Sequence, residues 1–99
     1  METTFLSDRH NGELVDVAAG SEVVVELFNT ATESCSRPSM AGTALSFIGS
    51  DVRGTDPPMP GYSTLVYRFR AVRQGQETIV IKRERDGSAE QWQVTVRVF

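Results

Sequence analysis

The segment STLVYRFRAV at positions 63–72 is the clearest structural signal in the sequence. Its apolar and charged residues alternate, and this period of two predicts a strand, because successive side chains of a strand point to opposite faces. We therefore expect one face of this strand in a core and the other in water. The apolar positions are Leu65, Tyr67, Phe69 and Ala71, and the arginines between them are Arg68 and Arg70.

The same alternation extends over most of the chain, and no apolar stripe with helical spacing runs for more than about two turns. The chain is therefore predicted to be all-β. Turn signals such as Gln74-Gly75 separate the strands. Further strands are predicted at residues 13–17, 21–28, 43–52 and 77–85, and a last strand places Trp92, Val94, Val96 and Val98 on its inner face.

About seven short strands within 99 residues favour an immunoglobulin-like β-sandwich of two antiparallel sheets, with residues 1–99 forming a single domain. A chain of this length can bury one core but not two. An all-β closed barrel is the alternative fold, although closure would require strands of more even length.

The composition excludes several classes of protein. Hydrophobic residues make up 39% of the chain, and the net charge is only -3, which does not fit an extended disordered chain. With 10 Lys and Arg against 13 Asp and Glu, the chain lacks the surplus of positive charge that nucleic-acid binding requires. One Cys and one His are too few for a disulfide framework or a zinc site, so we expect no metal and no cofactor.

No stretch of the sequence approaches the roughly 20 apolar residues of a membrane helix. The first twelve residues carry three charges and a histidine, where a signal peptide would have an apolar run. As written, the sequence predicts a cytoplasmic protein that does not bind membranes. If Met1 stands in place of a removed signal, the protein would instead be periplasmic or secreted.

No pattern of residues points to catalysis, so we predict that the protein is not an enzyme and has no catalytic residues. His10 precedes Asn11-Gly12 and is interpreted as a turn residue rather than a general base. Cys35 lies between two serines in a polar segment, without a local group to activate a thiolate. It is interpreted as an incidental free thiol, with a mixed disulfide to a partner as the alternative.

Binding is therefore expected in the loops, which a rigid sandwich presents at its ends. Three loops are predicted, at residues 29–42, 54–62 and 84–91, and all three are expected to project from the same end. Two of them exceed the usual connection of about 4–6 residues, although they could be connectors only. A second surface is a basic stripe of Arg68 and Arg70, extended by Lys82 and Arg97 on a neighbouring strand; such a stripe is usually a solvated face.

Two longer blocks of the sequence resemble a known family. The first begins with His10-Asn11-Gly12 and runs through a series of alternating valines to Leu27 and Asn29; the second, residues 58–75, contains Tyr67-Arg68-Phe69-Arg70-Ala71-Val72. With a final hairpin over residues 79–94, these blocks resemble the chagasin-type inhibitors of papain-like cysteine proteases. Of the family's loop motifs, the chain keeps Asn29 and Thr32 in the first loop and Arg85 in the third.

The resemblance implies an inhibitor that occludes a protease cleft with three loops, and we expect the protein to be a monomer. The first loop would enter beside the catalytic cysteine, the second would lie across the non-primed side, and the third would contact the far rim. The expected partner is a cysteine protease or another protein, and the alternative function is a non-inhibitory adaptor module on the same fold. The implied partner-binding residues are Asn29, Thr30, Ala31, Thr32, Pro58, Met59, Pro60, Gly61, Tyr62, Arg85 and Asp86.

Overall fold

The computed structural model of the protein describes residues 2–30, 33–55, 57–85 and 87–99. Within these ranges the chain forms eight strands and a single 3-10 helix, Asp8–His10, and none of it is a helix long and apolar enough to cross a membrane. The strands are β1 (Thr3–Ser7), β2 (Leu14–Val17), β3 (Glu22–Thr30), β4 (Glu33–Cys35), β5 (Leu45–Gly54), β6 (Tyr62–Ala71), β7 (Gly75–Arg85) and β8 (Ser88–Val98).

The strands form two separate four-stranded sheets, which confirms the all-β sandwich over the closed barrel. The first sheet has the order β1-β3-β6-β5, and the second has the order β2-β8-β7-β4. The sheets are mixed rather than wholly antiparallel, because β1 pairs parallel to β3 and β2 pairs parallel to β8. Both parallel strands come from the N-terminal segment, which adds one edge strand to each sheet and passes between them through the 3-10 helix.

The core lies between the two sheets and contains the residues that the alternation predicted. In β6, Tyr67, Phe69 and Ala71 are buried while Arg68 and Arg70 are exposed. The second sheet contributes the inner faces of β7 and β8. Its buried residues in the core are Val17, Ile79, Ile81, Trp92, Val94, Val96 and Val98.

The prediction of a long loop over residues 29–42 is wrong, because most of this segment follows the free edge of β7. After β4, the Ser36 N–H donates to the Lys82 carbonyl at 2.8 Å, and Ser39 exchanges backbone hydrogen bonds with Val80 at 2.8 and 3.0 Å. The segment is polar, so apolar periodicity could not reveal it. Hydrogen bonds to a neighbouring strand order it instead.

A buried carboxylate holds the far end of this segment. Glu77 is only 3% exposed, and its Oε2 accepts the Gly42 N–H at 2.6 Å. A Cβ at position 42 would lie 3.0 Å from the same oxygen, so any other residue would require the buried Glu77 carboxylate to shift. Residues 36–42 therefore run along the edge of β7 from Lys82 to Glu77.

Two other predictions also need correction. The third loop was predicted to span residues 84–91, but Arg85 pairs with Ser88, so only residues 86 and 87 join β7 to β8. Gly87 has a φ of +80°, as a tight hairpin turn requires.

The predicted extension of the basic stripe is wrong: Arg68 and Arg70 share the outer face of β6 in the first sheet, whereas Lys82 and Arg97 lie in the second. The Arg68 Nη1 lies 3.3 Å from Glu22 Oε1, and the Arg97 Nε lies 2.6 Å from Asp16 Oδ1. These exposed pairs are mixed-charge surface contacts of small energetic value.

Candidate functional site

The strand ends that flank three connections lie together at one end of the sandwich. In the first sheet, Thr30 pairs with Tyr62, and Ser63 pairs with Gly54. In the second sheet, the pairing of Glu33 with Arg85 brings the start of β4 beside the β7–β8 hairpin. We call this end the loop pole; it is defined by the connections 31–32, 55–61 and 86–87.

The second connection is held by its own hydrogen bonds. The Thr55 hydroxyl donates to the Pro57 carbonyl at 3.0 Å and accepts the Met59 N–H at 2.9 Å. Farther along, the Tyr62 N–H donates to the Met59 carbonyl at 3.2 Å, closing a turn in which Gly61 has a φ of +81°. Proline followed by glycine at the two central positions is typical of a type II turn. Contacts within the chain therefore fix the shape of the described part of this connection, Thr55 and residues 57–61.

A stacked aromatic pair lies beside this turn. The rings of Phe28 and Tyr62 are 5.2 Å apart between centroids, with an interplanar angle of 25°. Both side chains are more than two-fifths exposed, as is that of Met59. Sequence reasoning named Tyr62 and Met59 but missed Phe28, because it was counted within a strand. The signal that could have found it is its outward position, which it shares with Glu26 in the alternation of β3.

The Asp8 side chain lies beneath the loop pole and joins the two sheets. Its Oδ2 accepts the Phe28 N–H from β3 at 2.9 Å, and its Oδ1 lies 2.8 Å from the Arg83 Nη2 of β7. The Trp92 indole N–H donates to the Ser7 carbonyl at 3.1 Å and so fixes the residue that precedes Asp8. These contacts hold the base of the loop pole in place.

The two side chains that sequence analysis considered for chemistry have structural contacts. His10 Nδ1 accepts the Ser7 N–H at 2.9 Å. The Cys35 thiol is half-buried and lies 3.9 Å from the Asn29 Oδ1, within reach of a sulfur hydrogen bond across the 31–32 connection. Burial lowers the pKa of Arg83, but hydrogen bonds to Asp8 and Cys35 outweigh this effect and raise it above its usual value.

The predicted partner-binding residues divide into three groups. Residues of the second connection are exposed at the loop pole, whereas Asn29 and Thr30 are half-buried at the end of β3. Ala31, Thr32 and Asp86 lie outside the described residues, and Arg85 is placed only by its backbone pairing in the hairpin. The exposed group is Pro58, Met59, Pro60, Gly61 and Tyr62.

A side groove of ≈ 460 Å³ opens between β4 and β5, next to the loop pole. The Tyr67 ring and Leu65 line it, together with Cys35 and Val52 on opposite sides. Over the described ranges, no three His, Cys, Asp or Glu side chains lie close enough together to hold a metal ion. The groove and the loop pole offer surfaces for contact with another molecule.

Burial of Tyr67 gives the protein a predicted loss of stability at alkaline pH. Desolvation, followed by the nearby Cys35, raises the pKa of the phenol to about 12, and its hydroxyl donates to the Ser36 carbonyl at 3.0 Å. A raised pKa favours the neutral form in the folded state, so this stabilisation is complete below pH 10 and is lost as the pH rises towards 12. We expect the free energy of unfolding to fall by about 2–3 kcal/mol over this interval.

Denaturant unfolding at a series of alkaline pH values measures this loss. Tyr67→Phe should flatten the pH dependence, and Tyr62→Phe, which changes an exposed tyrosine, is the matched control. An equally steep decline in the Tyr67→Phe variant would show that another group causes it.

The fold resembles solved structures of protease inhibitors. No family model matches the sequence, and no curated protein matches it. The crystal structure of EhICP2, a cysteine protease inhibitor from Entamoeba histolytica, matches with a TM-score of 0.82 and 13% identity, covering 100% of this chain and 97% of that one. The solution structure of amebosin matches with a TM-score of 0.78 and 17% identity, covering 100% and 99% of the two chains.

A third match is the structure of PbICP-C in complex with falcipain-2, with a TM-score of 0.50, 11% identity and full coverage of both chains. The fold is therefore that of the chagasin-type β-sandwich, which confirms the resemblance seen in the sequence at the level of the fold. At these identities the likeness establishes the architecture alone.

Proposed function

We propose that the protein inhibits papain-like cysteine proteases by binding across the active-site cleft with its loop pole, and that it has no catalytic activity of its own. The observation that carries this proposal is the convergence of three connections at one end of a fold that matches EhICP2 over its whole length. The PbICP-C complex with falcipain-2 supports a protease as the partner class.

Inhibition of this kind requires obstruction of the cleft and no chemical step. Thr55 and residues 57–61 provide the main contact surface, because their hydrogen bonds and the turn at Pro60-Gly61 fix their shape. An ordered loop loses little conformational entropy on binding, which favours affinity. Met59 and Tyr62 supply exposed apolar side chains on that loop, and aromatic residues are frequent energetic centres of protein interfaces.

The Phe28–Tyr62 stack extends this surface onto the outer face of the first sheet. The pair keeps the Tyr62 ring in one orientation, since stacked aromatic rings contribute about 0.5–1.5 kcal/mol beyond their burial. Asp8 holds the Phe28 backbone from below. The proposed contact surface therefore consists of Phe28, Met59 and Tyr62, together with the connections at the pole.

Titration of a papain-family protease with the purified protein tests the proposal directly. We expect residual protease activity to fall with increasing inhibitor, and substrate added in excess should slow the onset of inhibition, as it does when both compete for the cleft. Val72→Ala is a suitable control, because Val72 is exposed beside Ala44 at the opposite end of the sandwich. Full activity against several members of that protease family, at saturating inhibitor, would reject the function and leave the fold unaffected.

The second candidate is a non-inhibitory adaptor module. The exposure of Phe5 favours this candidate. Phe5 lies opposite Val24 in the sheet, and Val24 and Phe28 are on the same face of β3, so Phe5 and Phe28 share the outer face of the first sheet. An adaptor that uses this face should retain its partner after all three connections at the loop pole are exchanged, whereas an inhibitor should lose its target.

A further inference from the structure

Each sheet has two edge strands, and the edges differ greatly in length. An exposed edge presents unpaired N–H and C=O groups that can pair with another chain. β1, β2 and β4 contain five, four and three residues, respectively, whereas β5 contains ten. Among the described strands, β5 is therefore the longest edge strand.

The hydrogen-bonding pattern shows which groups of β5 face outwards. In an antiparallel ladder, alternate residues direct their N–H groups to opposite sides. The Phe28 N–H points away from β6, towards Asp8, and Glu26 shares this direction. Val66 lies opposite Glu26 in the ladder between β3 and β6, and since the Glu26 N–H points away from β6, the Val66 N–H points away from β3. It therefore points to β5, where Asp51 lies opposite Val66. The next residue, Val52, therefore directs its N–H to the free edge.

This outward N–H already has an acceptor within the chain. The Asp51 Oδ1 accepts the Val52 N–H at 2.8 Å. The next side chain along β5 is also paired within the chain, because the Arg53 Nη2 forms a salt bridge with Glu26 Oε2 at 3.0 Å. Nothing comparable covers the Val52 side chain, which is 62% exposed. At the exposed edge, the Val52 side chain is therefore open to solvent, while the Val52 N–H is hydrogen-bonded to the side chain of Asp51.

We propose that the β5 edge can pair with the β5 edge of a second copy of this chain, and that Asp51 prevents this pairing by occupying the Val52 N–H. A two-fold axis at Val52 would place the two Val52 residues opposite each other, and each Asp51 opposite the second copy's Arg53. In this register each Val52 N–H would donate to the second copy's Val52 carbonyl, and the two Val52 side chains would meet, so the edge is self-complementary once Asp51 no longer occupies the donor. A register shift between Phe47 and Gly49 limits the pairing to the part of β5 nearest the loop pole.

Two variants separate the hydrogen bond from the charge. Asp51→Ala removes both, whereas Asp51→Asn keeps an oxygen acceptor for the Val52 N–H. We expect light scattering to give the mass of one chain for the wild type and for Asp51→Asn. For Asp51→Ala, the mass should rise towards twice that value with increasing concentration. Adding Val52→Lys to Asp51→Ala should restore the mass of one chain, because it places two like charges at the axis.

Asp16→Ala is the matched control, because it removes the same charge from the edge strand β2. The proposal is overturned if Asp51→Ala keeps the mass of one chain at all concentrations, if Asp51→Asn associates equally, or if the wild type is already a dimer. Continued association of the Asp51→Ala, Val52→Lys double variant would also overturn it, because the interface would then lie elsewhere. None of these measurements requires a protease, so the result is independent of the proposed inhibition.

Discussion

Replacing Trp92 with alanine is expected to lower the free energy of unfolding by about 3–5 kcal/mol, as for a large aromatic side chain lost from a core. Trp92 is 5% exposed and belongs to the apolar cluster between the sheets. A small domain is stable by only about 5–15 kcal/mol, so this change removes a large share of its stability. The midpoint of thermal or denaturant unfolding measures the loss.

The effect of Trp92→Ala should also reach the loop pole. The indole N–H donates to the Ser7 carbonyl, and Ser7 precedes the Asp8 that joins β3 to β7. Trp92→Phe is the informative companion variant, because it keeps an aromatic ring in the core but removes the donor and part of the buried volume; we expect it to cost about 1–3 kcal/mol. If Trp92→Ala melted like the wild type, Trp92 would not be the core residue that its burial indicates.

The second large effect is expected in protease inhibition. Replacing Tyr62 with alanine removes one ring of the aromatic stack and one of the two large apolar side chains at the second connection. Interface hot spots cost about 2 kcal/mol or more when truncated, which corresponds to a rise of roughly 30-fold in the inhibition constant. Inhibition assays of the variant against a papain-family protease measure this change.

Two controls accompany the Tyr62→Ala variant. Tyr62→Phe keeps the stacked ring and should retain most of the affinity, whereas Val72→Ala alters an exposed apolar residue away from the loop pole and should retain all of it. An unchanged inhibition constant for Tyr62→Ala, with an intact fold, would move the contact surface away from Tyr62. Phe28→Ala then shows whether the outer face of the first sheet contributes independently.

Alternation predicted the strands whose inner faces are apolar. β6, β7 and β8 contribute Phe69, Ile79 and Trp92 to the core, and each follows the expected period. β1 was not predicted, because Leu6 is its only buried residue and the segment reads as mostly polar. β4 was not predicted either, because its three residues, Glu33–Cys35, show no apolar alternation. Short edge strands are stabilised by hydrogen bonds to the neighbouring strand, and the sequence of the edge strand itself does not reveal that pairing.

The candidate site could be predicted only in part. Pro60-Gly61 indicated a turn, and the structure shows how Thr55 and Met59 fix the connection around it. The lengths of the first and third loops were overestimated, because glycine, serine and charged residues are compatible with both loops and polar strand edges. Phe28 became visible only through the register that places it beside Tyr62.

The parallel pairing of β2 with β8 has a consequence for the order of folding. β2 leaves the ribosome long before β8, its only neighbour in the sheet, has been synthesised. Contacts between residues so distant in sequence close slowly, since the loop entropy is lost before they form. We therefore expect β2 to remain unpaired until the C-terminal strand has emerged and to complete the second sheet in a late step, whereas β1 can pair with β3 as soon as β3 is synthesised.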